Sequence, residues 1–214
     1  MNEELVKSIL KFVEDYFEND ATGHDFYHTL RVYKLAKQIA EKEKADIILT
    51  SIIALLHDVD DCKLVGEDGV LFRNTKKALH ENNVDDEMIE LICREISKIS
   101  FKGNGINKPE TLEGKIAQDA DRIDDLGAIG IARTFTYGGS IGRTIYSPKI
   151  PIRDTVSEKD YITNTGTSIG HFYEKKLKLL DLINTGEAKK IAIHRTQYIK
   201  DYLDEFFAEW DGTK

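Results

Sequence analysis

Cysteine, proline and unbroken apolar runs are all scarce in this chain. The two cysteines, Cys62 and Cys93, cannot build a disulfide framework and neither has a CxxC partner. Plain thiols in a reducing cytoplasm are therefore expected. The three prolines avoid the interiors of the periodic segments: Pro109 opens one, and Pro148 and Pro151 lie in a loop. The longest nearly apolar run, Ile47 to Leu56, carries Thr50 and Ser51 and is too short to span a bilayer. The acidic start Met1-Asn2-Glu3-Glu4 precedes no long apolar stretch, which argues against a secretory signal. Excess positive charge is missing too. A formal net charge of -8 excludes a broad surface for duplex nucleic acid. It leaves room for a small anionic ligand, because one cation in a pocket can outweigh a distant surface.

What is present reads as an ordinary globular core. With 214 residues, 41% hydrophobic and 32% charged, the chain is read as a single domain over residues 1–214. The apolar residues recur at helical spacing. One helix is expected over about Glu3 to Glu18. A second runs from about Asp25 to Glu43, with Val32, Leu35, Ala36, Ile39 and Ala40 on one buried stripe. A third, about Asp46 to Val59, is apolar nearly all round and reads as the central buried helix. Further helices are expected near Asn74 to Glu81, Asp85 to Ser100, Pro109 to Asp125 and Ala128 to Thr136. Gly138 to Asn164, rich in glycine and proline, reads as a long loop before two long C-terminal helices. No alternating strand pattern emerges, so the fold class is all-α.

Three polar pieces stand out against this pattern. His57-Asp58 is delivered at the end of the most buried helix, where an ionised Asp is costly unless paired or bound to a cation. His28 lies four residues before Val32, on the inward stripe of its helix. A lone His there is ordinarily a core histidine bonded to a backbone carbonyl. The third piece is Gln118-Asp119-Ala120-Asp121-Arg122-Ile123-Asp124-Asp125. So many carboxylates on one short helix repel one another unless something positive intervenes. Each piece alone is weak. Together they bring two imidazoles and two carboxylates to core-directed helices, a set that suits a borderline divalent ion such as manganese, iron, nickel or zinc.

The order His28 … His57-Asp58 … Asp121 resembles the signature of the HD-domain superfamily of metal-dependent phosphohydrolases. Gly23-His24-Asp25-Phe26-Tyr27-His28, Gln118 to Thr134 and His171-Phe172-Tyr173-Glu174-Lys175 resemble a bacterial subgroup that includes nucleoside triphosphate pyrophosphohydrolases. The resemblance implies a compact helical bundle. It also implies one divalent ion, manganese or magnesium ahead of nickel, iron or zinc, held by His28, His57, Asp58 and Asp121. It makes His57-Asp58, not His24-Asp25, the metal pair. The cyclic dinucleotide phosphodiesterase branch carries a Lys three residues after the HD Asp and extra histidines for a second metal. Here position 61 is Asp and His80 is the only His between Asp58 and Asp121, so one metal is expected.

By the same resemblance, Asp61 is the candidate general acid/base. His24, Lys63, Lys102, Arg122, Asp125 and Arg133 are candidate substrate contacts. Arg143, in the long loop, joins them; with Lys149 and Arg153 it makes that loop a candidate lid over the phosphates. The expected substrate is a nucleoside or deoxynucleoside triphosphate, cleaved to monophosphate and pyrophosphate. A nucleoside monophosphate phosphatase and a metal-binding regulatory module without turnover are the alternatives. No membrane or duplex nucleic-acid partner is expected, and a homodimer is compatible with the sequence.

Overall fold

Helix starts in this chain are marked by short polar side chains that accept backbone N–H groups the first turn leaves unbonded. Asn2 does so for α1 (Glu3–Tyr16), Asp25 for α2 (Phe26–Glu43), Asp46 for α3 (Ile47–Leu56) and Asp85 for α5 (Asp86–Ile96). Between them lies α4 (Arg73–Glu81), whose N-cap, Phe72, offers no side-chain bond. Then come α6 (Leu112–Asp124), α7 (Gly127–Ser140), α8 (Ser168–Glu174), a 3-10 segment (Lys176–Leu182) and α9 (Gly186–Trp210). The computed structural model describes residues 1–18, 25–60, 71–99, 107–153 and 166–214. Among the described residues there is no strand, and the protein is all-α. None of the described helices is long and apolar enough to cross a membrane.

The described residues group into two compact units, Met1–Asp121 and Arg122–Lys214, with the boundary inside α6. In the first unit α3 is the central element, packed by α1, α2 and α5. Every residue from Leu49 to Leu56 is buried, as the all-round apolar sequence anticipates. Burying an aliphatic side chain such as Ile52 or Leu55 contributes about 1.5–3 kcal/mol. Truncating Leu55 to Ala should cost about 2–5 kcal/mol, because a cavity is added to the lost transfer energy.

The start of α6 is fixed from another helix. Glu95, fully buried on α5, accepts the backbone N–H of Glu110 and of Thr111 and the Thr111 hydroxyl at 2.8–3.0 Å. The Thr111 Oγ1 in turn accepts the Gly114 N–H at 3.0 Å. A Cβ at position 114 would lie 2.3 Å from Glu95 Oε2, so only glycine admits this approach. Further along α6, Gln118 Nε2 donates to the carbonyls of Lys98 and Asn107 at 2.7 and 2.9 Å.

The second unit corrects two expectations. The helix through Ile169, Phe172, Tyr173, Leu177 and Leu180 is not continuous. It stops at Glu174 and resumes as the 3-10 segment, with Lys175 at φ -131° and ψ -61° between them. Successive α-helical side chains diverge by about 100°. Here Lys175 and Lys176 both reach one carboxylate, that of Asp125, at 3.0 and 2.9 Å. The expected loop from Gly138 also begins later, because α7 continues to Ser140. Gly138 is buried, and a Cβ there would lie 2.4 Å from Ser168 Oγ. It serves close packing of α7 on α8. Residues 141–153 are irregular, and residues 154–164 of the expected loop lie outside the described residues.

Candidate metal centre

His28 is the third residue of α2, and its backbone N–H is accepted by the Asp25 carboxylate at 2.7 Å. Asp25 therefore works as a helix cap, which separates the His24-Asp25 dipeptide from the His57-Asp58 pair. His57 stands at the C-cap of α3, where Leu56 ends the helix, and Asp58 follows in the turn. Asp121 comes from α6. Although these residues are far apart in sequence, their side chains converge within the first unit. His28 Nε2 lies 3.3 Å from Asp58 Oδ2 and 3.5 Å from Asp121 Oδ1. His57 Nε2 lies 3.4 Å from Asp58 Oδ2 and 3.7 Å from Asp121 Oδ1. The two imidazole rings meet edge to face, 5.3 Å apart. His28, His57 and Asp58 are buried and close enough together to share one ion. The Asp121 side chain is 26% exposed, so it is the member that meets solvent.

The chemistry of the donor set fits a first-row divalent ion. Ligands about 2.0–2.2 Å from one centre in a tetrahedral arrangement lie about 3.3–3.6 Å apart, close to the spacings found here. The His57 ring carries a sharper indication. Its Nδ1 is 2.8 Å from the Ala54 carbonyl oxygen, an acceptor only, so Nδ1 holds the proton and donates. That leaves a lone pair on Nε2, and among the described residues this buried atom has no hydrogen-bond partner. A backbone carbonyl fixing one ring nitrogen while the other is free is the usual setting of a metal-ligating histidine.

Electrostatics agree. Burial disfavours the charged form of His57, but the carboxylates of Asp58 and Asp121 outweigh it and raise the pKa above 6.5. Burial likewise works against ionised Asp121, yet His28 and His57 hold its carboxyl well below the ordinary range. The cluster thus attracts positive charge, whether a proton or a metal ion.

Other candidates from the sequence are placed differently. His24, Asp61, Lys63 and Lys102 lie outside the described residues. Arg122 is buried, and its Nη1 donates to the Leu182 carbonyl, a tie within the second unit. Asp125, the next acidic residue but one, sits in a cage of cations: Arg133 Nη1 at 3.1 Å, Lys175 Nζ at 3.0 Å and Lys176 Nζ at 2.9 Å. Arg133 also reaches Asp124 at 3.1 Å. Arg143 is half-buried with its guanidinium 5.8 Å from the Tyr137 ring centroid. Arg153 makes a two-pronged ion pair with Glu174, at 2.8 and 3.2 Å, so one cation of the expected lid is engaged within the second unit.

Sequence reasoning missed the two lysines of this cage and the histidine beside them. Burial pushes Lys176 down to about 8, against the pull of Asp125. Burial and the Lys176 and Lys175 charges push His171 well below 6.5. The available signal was the segment His171-Phe172-Tyr173-Glu174-Lys175, which holds His171 and Lys175 and stops one residue short of Lys176.

Known proteins match this chain closely. The HD domain family matches residues 25–126. YpgQ of Bacillus subtilis is 31% identical over 208 residues, covering 96% of this chain and 94% of YpgQ. Its crystal structure in complex with ADP covers 95% of this chain and 97% of that one, with a TM-score of 0.75. A Lactobacillus plantarum protein of known crystal structure is 36% identical with a TM-score of 0.86, each chain covered to 99%. An HD-superfamily hydrolase from Bacillus thuringiensis is 40% identical with a TM-score of 0.76, each chain covered to 98%. The chain belongs to the HD-domain superfamily and is a metal-dependent phosphohydrolase.

Proposed function

We propose that His28, His57, Asp58 and Asp121 hold one divalent ion, with manganese or magnesium the first candidates. The protein then hydrolyses nucleoside or deoxynucleoside triphosphates to monophosphate and pyrophosphate. The observation that carries the metal reading is the His57 ring, with Nδ1 committed to Ala54 and a buried, unpartnered Nε2 facing two carboxylates. The nucleotide reading is supported by YpgQ, whose crystal structure holds ADP.

When bound, such an ion supplies a water acidic enough to attack near neutral pH and offsets phosphate charge. The chain's own groups do the rest. Hydrolysis forms a bond from the water oxygen to the α-phosphorus and breaks the bond to the bridging oxygen, which leaves with pyrophosphate. A proton must leave the water, and the departing oxygen needs charge neutralised. Asp61 is the candidate for proton transfer. Its neighbour Asp60 has both carboxylate oxygens bonded to backbone N–H groups and is not available for that step. Lys63, Lys102 and His24 are the candidates for holding the phosphates.

A panel of nucleotides with manganese, with pyrophosphate and orthophosphate assayed separately, tests this. Pyrophosphate released from triphosphates is the expected result. Orthophosphate released only from monophosphates would make the protein a nucleoside monophosphate phosphatase. No release from any nucleotide would favour a regulatory module.

A further inference from the structure

The turn that presents the metal pair is held at both ends. At its start the His57 ring is tied to α3 through the Ala54 carbonyl. In its middle Val59 is fully buried, and its N–H is accepted by the Leu56 carbonyl at 3.2 Å. At its end stands Asp60, 6% exposed. Asp60 Oδ1 accepts the Asn74 N–H at 3.1 Å and Oδ2 accepts the Thr75 N–H at 2.8 Å. These are first-turn amides of α4, a helix that has no cap of its own. Its N-cap residue, Phe72, sits at φ 50° and makes no side-chain bond.

We infer that Asp60 is a positioning residue for the metal centre: as the cap of α4, supplied from 14–15 residues away in the chain, it locks the turn carrying His57 and Asp58. Ionised carboxylate on backbone N–H groups is a charge-assisted arrangement, strengthened by the positive end of the helix. It restrains direction as well as distance, because two separate oxygens meet two successive amides. Asp58 lies two residues upstream with little slack between Asp60 and the buried Val59. Loss of the lock therefore loosens the Asp58 carboxylate and the His57 ring without removing either ligand. Asp60 touches no reacting atom in this role. The inference rests on the reading of the His28, His57, Asp58 and Asp121 cluster as a metal centre.

The test compares wild-type protein with Asp60→Asn, which keeps the size but turns one acceptor into a donor facing an amide. Manganese affinity is measured by calorimetry at a temperature where circular dichroism shows both proteins fully helical. The expected result is a fall of about 10–100-fold, the range for groups that orient metal ligands. A purely structural cap would lower the unfolding temperature and leave the affinity of the folded protein alone, so wild-type affinity in a folded Asp60→Asn overturns the inference. Should that variant fail to fold, amide hydrogen exchange on the wild-type protein decides. The Asn74 and Thr75 amides are expected to slow on manganese addition, and equal rates with and without manganese overturn the coupling. Absence of manganese binding by the wild-type protein would remove the metal centre itself, a result distinct from either.

Discussion

Two buried acidic centres, one in each unit, have opposite surroundings. In the first, Asp58 and Asp121 face the imidazoles of His28 and His57. In the second, Asp125 faces Arg133, Lys175 and Lys176, with Asp124 bound to the same arginine. An imidazole can give up its proton and offer a lone pair at neutral pH, whereas a guanidinium cannot and an ammonium rarely does. Hence the first centre can exchange protons for a divalent ion. The second is already neutralised by fixed cations and has no use for one. What a buried carboxylate does is decided by whether its neighbours are lone-pair donors or permanent charges.

The largest effect expected from breaking this contrast is at the first centre. His57→Ala and Asp121→Asn should each lower metal affinity by orders of magnitude, since one of four donors is lost, while the helical circular dichroism spectrum persists. Metal analysis of the purified variants checks this, and full occupancy in both would remove the assignment. The matching change at the second centre, Asp125→Ala, should act on stability and not on metal. It leaves three clustered cations without their shared counter-ion, which for buried pairs costs about 3–5 kcal/mol. Urea unfolding measures the loss, and the manganese bound per folded molecule should stay at the wild-type value.

The pH dependence sharpens the comparison further. Because the pKa of His57 is raised above 6.5, protons compete with metal across and above that value. Metal affinity should therefore rise with pH there, by up to about tenfold per unit for each proton displaced, and level off once His57 is neutral. In metal-free protein the sign reverses. The raised His57 pKa contributes stability that is fully present below 6.5 and is lost as pH rises through the raised value. Calorimetric titrations with manganese and metal-free unfolding curves over this range should slope in opposite directions.

The smallest effect is expected from Lys176→Met. Its folded pKa of about 8 lies below the ordinary 10.5, so the unfolded chain binds the extra proton between these values. Stability from this group is therefore greatest above 10.5 and is lost as pH falls to about 8. Replacing Lys176 leaves Arg133 and Lys175 to neutralise Asp125, so the change near neutral pH should stay within about 1 kcal/mol. The rise in stability between pH 8 and 10.5 should disappear, as unfolding at several alkaline pH values would reveal.

Much of this architecture was legible from local rules. Asp25, Asp46 and Asp85 announce helix starts because a short side-chain oxygen reaches the free amides of a first turn whatever the tertiary context. The apolar run from Ile47 to Leu56 announces a central helix because a segment without a polar face must be covered on all sides. The break at Lys175 was not legible, because the apolar spacing around it continues at helical period. In the folded protein Lys175 and Lys176, at the break, share the carboxylate of Asp125.

The acidic stretch of α6 shows where sequence stops and tertiary structure begins. Spacing alone places Asp121 and Asp125 four residues apart with charges that need compensation, although α6 itself ends at Asp124. It cannot say what supplies that compensation. Asp121 meets His28 and His57 from other helices, and Asp125 meets Arg133, Lys175 and Lys176. Gln118, one turn earlier, binds backbone carbonyls of a different segment. Likewise Asp60 and Asp61 are equivalent in composition, yet Asp60 becomes a helix cap because the unguarded start of α4 packs beside it. Local sequence determines which side chains are charged and which way they point from a helix. Which partners lie at 3 Å depends on the packing of segments distant in the chain, and that packing distinguishes a metal centre from an ion-pair cage.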